Sequence, residues 1–174
     1  MRYWVITIAV LCWLAAPAHA EQVLMSPQAY IKQQFDGTIP KPKVIWLTKA
    51  LKTKVADILN HDYAGLRVRY WQGDGEQAQQ TVWVLSEIGK EKNITVGITI
   101  IKQRIASLNV LVYRESRGWE VKYDFFTHQF RQLFLQDGEK LNKSIDGITG
   151  ATLSVRAVKK LARIALLLDK EVQG

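Results

Sequence analysis

The spacing of apolar residues changes along the chain, and each change predicts a different kind of element. Apolar positions first recur at helical intervals, with a serine or threonine in front, which predicts helices over 26–35 and from Thr48 to either Asn60 or Gly65. From Leu66 onward, apolar and polar residues alternate, and alternation is typical of half-buried strands. The predicted strands cover residues 66–71, 81–85, 93–101 and 105–113.

Helical spacing returns in the last third of the chain. A helix is predicted over 124–135, then a polar loop over 136–144, and a final amphipathic helix over 153–170. Because the strands follow one another through short turns, they predict a meander rather than parallel βαβ units. The expected fold class is therefore α+β, an antiparallel β-meander sheet packed with helices.

Residues 1–20 have the features of an export signal. Arg2 gives a short positive start, residues 3–16 are apolar apart from Thr7, and Ala18 and Ala20 fill the small-residue positions before a cleavage site. The apolar run is short for a bilayer span. We therefore expect a signal peptide at 1–20 and one exported domain at 21–174, in the periplasm if the source is Gram-negative.

Few residues of the mature chain could support metal or acid–base chemistry. The single cysteine, Cys12, lies within 1–20, which excludes disulfides, iron–sulfur clusters and thiolate metal sites after cleavage. His61 and His128 lack the spacing of metal ligands. No metal site and no catalytic residue are predicted. Two acidic pairs are interpreted as surface carboxylates: Glu87 with Glu91, and Asp137 with Glu139.

The net charge of +8 at pH 7 would suit nucleic acid, an anionic membrane or an acidic protein partner. Export argues against nucleic acid, and no basic helix carries interleaved aromatics. The charge is therefore interpreted as that of soluble, mixed surfaces, which could also attract an acidic redox partner. The basic residues expected to attract it are Lys90, Lys92, Arg114, Arg117, Lys143 and Arg156.

Residues 146–154 read Asp-Gly-Ile-Thr-Gly-Ala-Thr-Leu-Ser and lead into the final helix. Two glycines flank Thr149, and Ala151 adds little bulk, so Thr152 should present its hydroxyl at the first helical turn. Unpaired backbone N–H groups and the helix dipole there would stabilise a phosphate. The simpler alternative is an ordinary helix start, with these residues serving as cap and turn.

This segment resembles the flavinylation motif of the FMN-binding domain family, which includes subunits of sodium- and proton-linked respiratory complexes. In that family a flavin transferase, using magnesium, takes FMN from FAD and joins its phosphate to the threonine of Gly-Ala-Thr. The resemblance implies covalent FMN on Thr152. It also implies a single FMN-binding domain with its core at 81–170 and an N-terminal part at 21–80. Further cofactor-binding residues implied by the motif are Asp146, Thr149, Gly150, Ala151 and Ser154.

The loop after the fourth predicted strand is similar to the family's ring-facing loop. Glu115 and Gly118 fit its pattern, whereas Ser116, Arg117 and Glu120 depart from it. The resemblance implies that Glu115 and Gly118 approach the flavin. An aromatic side chain such as Trp119 could stack on the isoalloxazine, although a packing role is the favoured alternative for Trp119.

The expected function is electron relay by an exported flavoprotein. Its donor would be a membrane haem or flavin redox protein, and its acceptor a cytochrome or another exported oxidoreductase. A flavin carries its own reactivity, so the protein needs to hold it and control access to it. Two alternatives remain open: a small FMN-dependent reductase of a soluble substrate, and a non-redox binding module in which the motif is only a helix start.

Overall fold

The computed structural model describes residues 21–174, so the predicted signal peptide lies outside the described residues. Its main sheet has strands β1 (Gln22–Val23), β2 (Lys43–Trp46), β3 (Arg67–Gln72), β4 (Gln80–Ile88), β5 (Asn93–Ile101) and β6 (Arg104–Tyr113). All neighbours are antiparallel, in the order β1-β6-β5-β4-β3-β2. A second small sheet pairs β7 (Leu135–Gln136) with β8 (Lys140–Leu141). The α-helices are α1 (Pro27–Gln34), α2 (Lys49–Leu59), α3 (Asp124–Thr127) and α4 (Thr152–Gln173). The predicted α+β fold, with an antiparallel sheet and packed helices in one domain, is confirmed.

The first two helices begin where their capping residues predict. Ser26 Oγ accepts a hydrogen bond from the backbone N–H of Ala29 at 3.1 Å, and Thr48 Oγ1 accepts one from Leu51 at 3.2 Å. Each bond satisfies one backbone donor that the first helical turn leaves unpaired. Helix α2 ends at Asn60 in the left-handed conformation, with φ of 58°. Asparagine tolerates that conformation better than most residues.

Helices cover both faces of the central strands. Helix α4 packs across one face with α2 beside it, and the largest cluster of buried apolar side chains lies between them and the sheet. On the other face, Tyr30 and Ile31 of α1 pack against Val82, Leu111 and Val112. Because successive strand residues point to opposite faces, this central part of the sheet has an apolar layer on each side. Among residues 21–174, no helix combines the length and apolarity needed to cross a bilayer.

The prediction of one helix over 124–135 is wrong in its second half. Helix α3 is followed by a 3-10 turn at His128–Phe130, after which the chain becomes extended. Gln132 has a φ of 63° and donates its backbone N–H to the carbonyl of Ile105 at 2.8 Å. Ile105 in turn donates to Leu133 at 2.9 Å. Hydrogen bonding to the first residues of β6 therefore replaces further helical turns.

The surface position predicted for Glu87 is also wrong. Its side chain is only 5% exposed, because β4 turns it toward α4. It accepts a hydrogen bond from Lys160 Nζ at 3.2 Å and lies 3.1 Å from His61 Nε2. A buried carboxylate needs such partners. Glu91, its proposed neighbour, is exposed as expected.

Candidate functional site

The segment predicted to carry a cofactor lies at the surface and leads directly into α4. Gly150 has a φ of 81°, and a side chain added there would meet no other atom within 4 Å. Ala151 occupies the N-cap position and is buried, whereas Thr152, the first residue of α4, is exposed. The local chain therefore presents the Thr152 hydroxyl with little cover, as the motif predicted.

The N-terminus of α4 has no side chain to cap it. An N-cap alanine cannot accept a hydrogen bond, so the backbone donors of the first turn stay open to an external acceptor. The 22 residues of α4 also align their peptide dipoles toward this end. An anionic group beside Thr152 would meet both the donors and the positive end of the dipole. This end of the helix therefore fits a phosphate.

The loop after β6 packs tightly against the same helix start. Gly118 has a φ of 79°, and a Cβ at this position would lie 2.8 Å from Ser154 Oγ and 3.2 Å from Ala151 Cβ. Only a residue without a side chain allows this approach and this backbone conformation together. Gly118 therefore acts by letting the loop and the helix meet, and it is buried beneath them.

A hydrogen bond joins the end of β6 to α4. Burial raises the pKa of the Tyr113 hydroxyl above its ordinary value, so the hydroxyl stays protonated. It donates to the backbone carbonyl of Arg117 at 2.5 Å. Its single hydrogen is then used, which leaves the buried Ser154 hydroxyl to donate to Tyr113 at 3.0 Å. Nothing in the motif itself signals this Tyr113–Ser154 contact, and sequence reasoning missed it.

Three segments enclose an open cleft of about 490 Å³ around Thr152. They are the turn between β4 and β5, the loop after β6, and the start of α4. The structure thus brings together five of the predicted cofactor-binding residues. The cleft is lined by Lys90, Glu115, Ser116, Arg117, Gly150, Ala151, Thr152, Leu153 and Ser154.

Glu115 holds the turn between β4 and β5 in place. Its Oε1 atom accepts hydrogen bonds from the backbone N–H groups of Lys90, of Glu91 at 2.8 Å and of Lys92 at 3.0 Å. Charge-assisted bonds of this kind are about twice as strong as neutral ones. The side chain therefore borders the cleft, while its carboxylate fixes the turn that carries Lys90.

Besides the buried Gly118, three predicted residues do not line the cleft. Trp119 packs edge-on against Tyr123, with ring centroids 5.5 Å apart, and Lys122 Nζ lies 5.3 Å from its ring. Asp146 donates its backbone N–H to Gln129 Oε1 at 2.7 Å, which anchors the start of the motif. Thr149 is exposed beside the cleft without lining it. The alternative of Trp119 as a packing residue fits these contacts.

Within residues 21–174, no three histidine, cysteine, aspartate or glutamate side chains cluster in a way that could hold a metal ion. His61 is paired with Glu87, and His128 Nδ1 lies 2.9 Å from the carbonyl of Asp124. Both imidazoles thus have structural contacts. The chemistry that the described part of the chain supports is instead anion binding, by the residues of the Thr152 cleft.

Residues 89–167 match the family model of the FMN-binding domain. The matched stretch includes β5, β6, the Glu115–Gly118 loop and the Thr152 motif, so it covers the whole cleft. This match supports an FMN-binding domain within the chain, with FMN as the cofactor. No curated protein is similar enough to the chain to count as a match.

Proposed function

We propose that this flavoprotein carries FMN through a phosphoester to Thr152 Oγ1 and relays electrons outside the cytoplasm. The observation that carries the proposal is the exposed Thr152 hydroxyl at an uncapped helix N-terminus, inside a cleft that lies within the matched FMN-binding stretch. A membrane haem or flavin protein would supply the electrons. A cytochrome or another exported oxidoreductase would accept them.

Attachment requires a flavin transferase that uses FAD and magnesium. In this reaction the bond between Thr152 Oγ1 and the flavin-side phosphorus forms, the pyrophosphate bond of FAD breaks, and AMP leaves. The hydroxyl proton passes to a base of the transferase. Thr152 is suited as the acceptor because its side chain is exposed, so a second protein can reach it. FMN, once bound, supplies one- and two-electron chemistry.

The chain's own groups would hold the phosphate and border the ring. The open N–H groups at the start of α4 are the donors for the phosphate oxygens. Gly150 and Ala151 keep that approach clear, since neither carries a bulky side chain. Lys90 and Arg117 add positive charge at the cleft, which would favour an anionic reduced flavin.

Replacement of Thr152 by alanine tests the attachment. The Thr152→Ala protein should keep its circular dichroism spectrum and change its free energy of unfolding by no more than about 0.5 kcal/mol, as exposed substitutions usually do. It should carry no flavin after denaturation, as measured by intact mass and in-gel fluorescence. Thr149→Ala is the matched control, because it removes an exposed threonine from the same motif, and it should keep the flavin. Flavin retained on the Thr152→Ala chain would refute the assignment.

Positive charge at the cleft supports docking of an acidic partner. Of the basic residues expected to attract it, Arg114 is a weaker candidate than the sequence suggested. Arg114 Nη2 lies 2.7 Å from Glu21 Oε1, and Arg114 Nη1 donates a hydrogen bond to Thr95 Oγ1 at 3.1 Å, so this arginine is already paired. Arg117 lines the cleft, is exposed and forms no ion pair within residues 21–174. Lys90 also lines the cleft and is exposed, and its ion-pair partner at 3.4 Å, Glu91, is itself exposed. They are the better candidates for attracting a partner, because an exposed cation beside the cofactor steers encounter.

Ionic strength separates electron relay from turnover of a soluble substrate. Reduction of the flavin by an acidic protein partner should slow as salt rises, because screening acts over about 8–10 Å at physiological salt. Reduction by a small neutral reagent should not change. Arg117→Glu with Lys90→Glu should slow the partner reaction and leave flavin attachment intact, whereas Lys49→Glu, outside the cleft, should not. Fast turnover of a soluble substrate without a partner would instead support the reductase alternative.

A further inference from the structure

A second cavity of about 490 Å³ lies where β3 and β4 separate. These strands pair only through Tyr70–Gln72 and Thr81–Trp83. Toward the start of β3 the pairing stops, although β4 continues its pairing with β5 to Ile88. The cavity occupies this gap in the sheet, and it shares no lining residue with the Thr152 cleft.

Side chains from both faces of the sheet line the cavity. Val68 and Leu85 belong to the cluster beneath α2 and α4, whereas Trp71 and Val84 pack with the cluster beneath α1. One cavity can be bordered by both faces only where the strands have moved apart. Its interior is therefore apolar and reaches between the two layers. Helices α2 and α4 close it with Val55, Leu59, Leu161, Ile164 and Leu168.

The charged residues of the cavity have one sign. Arg67 and Arg69 line it and are exposed, and no aspartate or glutamate is among its lining residues. Within residues 21–174, Arg69 forms no ion pair, and Arg67 lies 5.6 Å from the ring of Trp46. Ile39 borders the same cavity and is 46% exposed. An apolar interior with an arginine-bearing rim is complementary to a ligand that has an apolar body and an anionic head.

We propose that this cavity binds a free single-chain amphiphile with an anionic head group, such as a medium-chain fatty carboxylate. Its hydrocarbon chain lies between β3 and β4, and its head is held by Arg69 and Arg67. The volume falls within the roughly 300–1,000 Å³ range of small-molecule sites, and the mostly apolar lining with a few polar groups is typical of them. Arginine suits a carboxylate because its planar guanidinium can donate two parallel hydrogen bonds.

Calorimetric titration of the full chain with octanoate, decanoate and dodecanoate, each below its micelle concentration, tests the proposal. The dissociation constant should fall about fourfold for each added CH2 group, since each buried methylene strengthens binding by that factor. Dodecanol and dodecyltrimethylammonium keep the chain but lack the negative charge, and both should bind at least about tenfold more weakly than dodecanoate. Affinity independent of chain length, or equal affinity for the three head groups, would overturn the proposal.

Arginine variants locate the head group. Arg69→Gln changes an exposed side chain and should weaken dodecanoate binding by about tenfold while leaving dodecanol binding unchanged. Arg131→Gln is the matched control, because Arg131 is exposed and lies outside the cavity, and it should bind like the unchanged protein. Equal dodecanoate affinity in the Arg69→Gln protein would overturn the assigned head-group position. Binding to phosphatidylglycerol vesicles without any response to free carboxylates would instead indicate a lipid surface and contradict the proposal.

Discussion

The two ends of helix α4 differ in nearly every physical respect. At its start, Thr152 and Leu153 are exposed and the N-cap alanine offers no hydrogen bond. Near its end, every residue over 164–169 is buried. One helix thus joins an exposed start, suited to binding and modification, to a segment buried in the core, residues 164–169, which we call the locked end. The difference shows that the exposed site need not stabilise the fold, because the buried end of the same helix does so.

A buried carboxylate fastens the locked end to the sheet. Asp169 is inaccessible to solvent and accepts hydrogen bonds from the Thr81 hydroxyl on β4 and from the Gln103 amide in the turn before β6. Trp83 Nε1 donates to Thr81 Oγ1 at 2.9 Å and extends the network. No lysine or arginine pairs with Asp169 within residues 21–174. Its ionised form therefore depends on hydrogen bonds alone.

The largest expected effect compares one leucine from each end of α4. Leu166 is 1% exposed, so Leu166→Ala should lower the free energy of unfolding by about 2–5 kcal/mol through lost burial and a cavity. Leu153 is 40% exposed, and Leu153→Ala should cost less than about 1 kcal/mol. Urea denaturation followed by circular dichroism measures both. Equal losses would show that the exposed start of α4 contributes to the core after all.

The second effect concerns the pH dependence of the locked end. Burial raises the pKa of Asp169 from the ordinary aspartate value of 3.8 to about 6, although the hydrogen bonds from Thr81 and Gln103 act in the opposite direction. The folded protein therefore holds a proton that the unfolded chain releases between these two values. Stability due to Asp169 is present at low pH and is lost as pH rises through the folded pKa. The loss should be roughly 2 kcal/mol between about pH 4 and pH 7.

Asp169→Asn supplies the control for this pH effect. Asparagine has nearly the same shape and no charge, and its amide can exchange hydrogen bonds with Thr81 and with a flipped Gln103. The difference in unfolding free energy between Asp169→Asn and the unchanged protein should shift by that amount in favour of asparagine as pH rises. A difference that stays constant with pH would mean that Asp169 does not titrate in this window.

The smallest effect separates close packing from backbone strain at the open end. Gly118 and Gly138 both have positive φ, at 79° and 72°, but only Gly118 has atoms within 4 Å of an added Cβ. Gly138→Ala should cost about 1 kcal/mol from the backbone alone, and Gly118→Ala about 1 kcal/mol more. Gly118→Ala should also reduce flavin loading, because it pushes the loop away from Ser154. Equal costs and equal loading would contradict the tight contact between loop and helix.

Local sequence signals predicted much of the fold. The strand expected at 93–101 is β5 at Asn93–Ile101, because alternation and flanking turns fix both ends. Ser26 and Thr48 marked the starts of α1 and α2 through their capping chemistry. The exposed Thr152 at the start of α4 was likewise predicted, since glycine and alanine in front of a helix restrict what can surround it.

The features that the sequence did not predict depend on contacts between distant segments. Glu115 reaches a turn more than twenty positions earlier in the chain, and Glu87 is buried because it meets Lys160 of α4. Residues 131–135 left the helical pattern because Ile105 offered hydrogen bonds. The gap between β3 and β4 is similar, because alternation in each strand says nothing about where their pairing stops.

The two walls of the Thr152 cleft also differ in how they meet a negative charge. In the turn between β4 and β5, the carboxylate of Glu115 already occupies the backbone donors of Lys90, Glu91 and Lys92. Across the cleft, the donors at the start of α4 have no such internal anion. The cleft thus has two groups of backbone N–H donors that could bind an anion, and the protein's own Glu115 already occupies one of them. A phosphate entering the cleft would therefore meet free backbone donors only at the start of α4, so a single glutamate would determine which wall holds it.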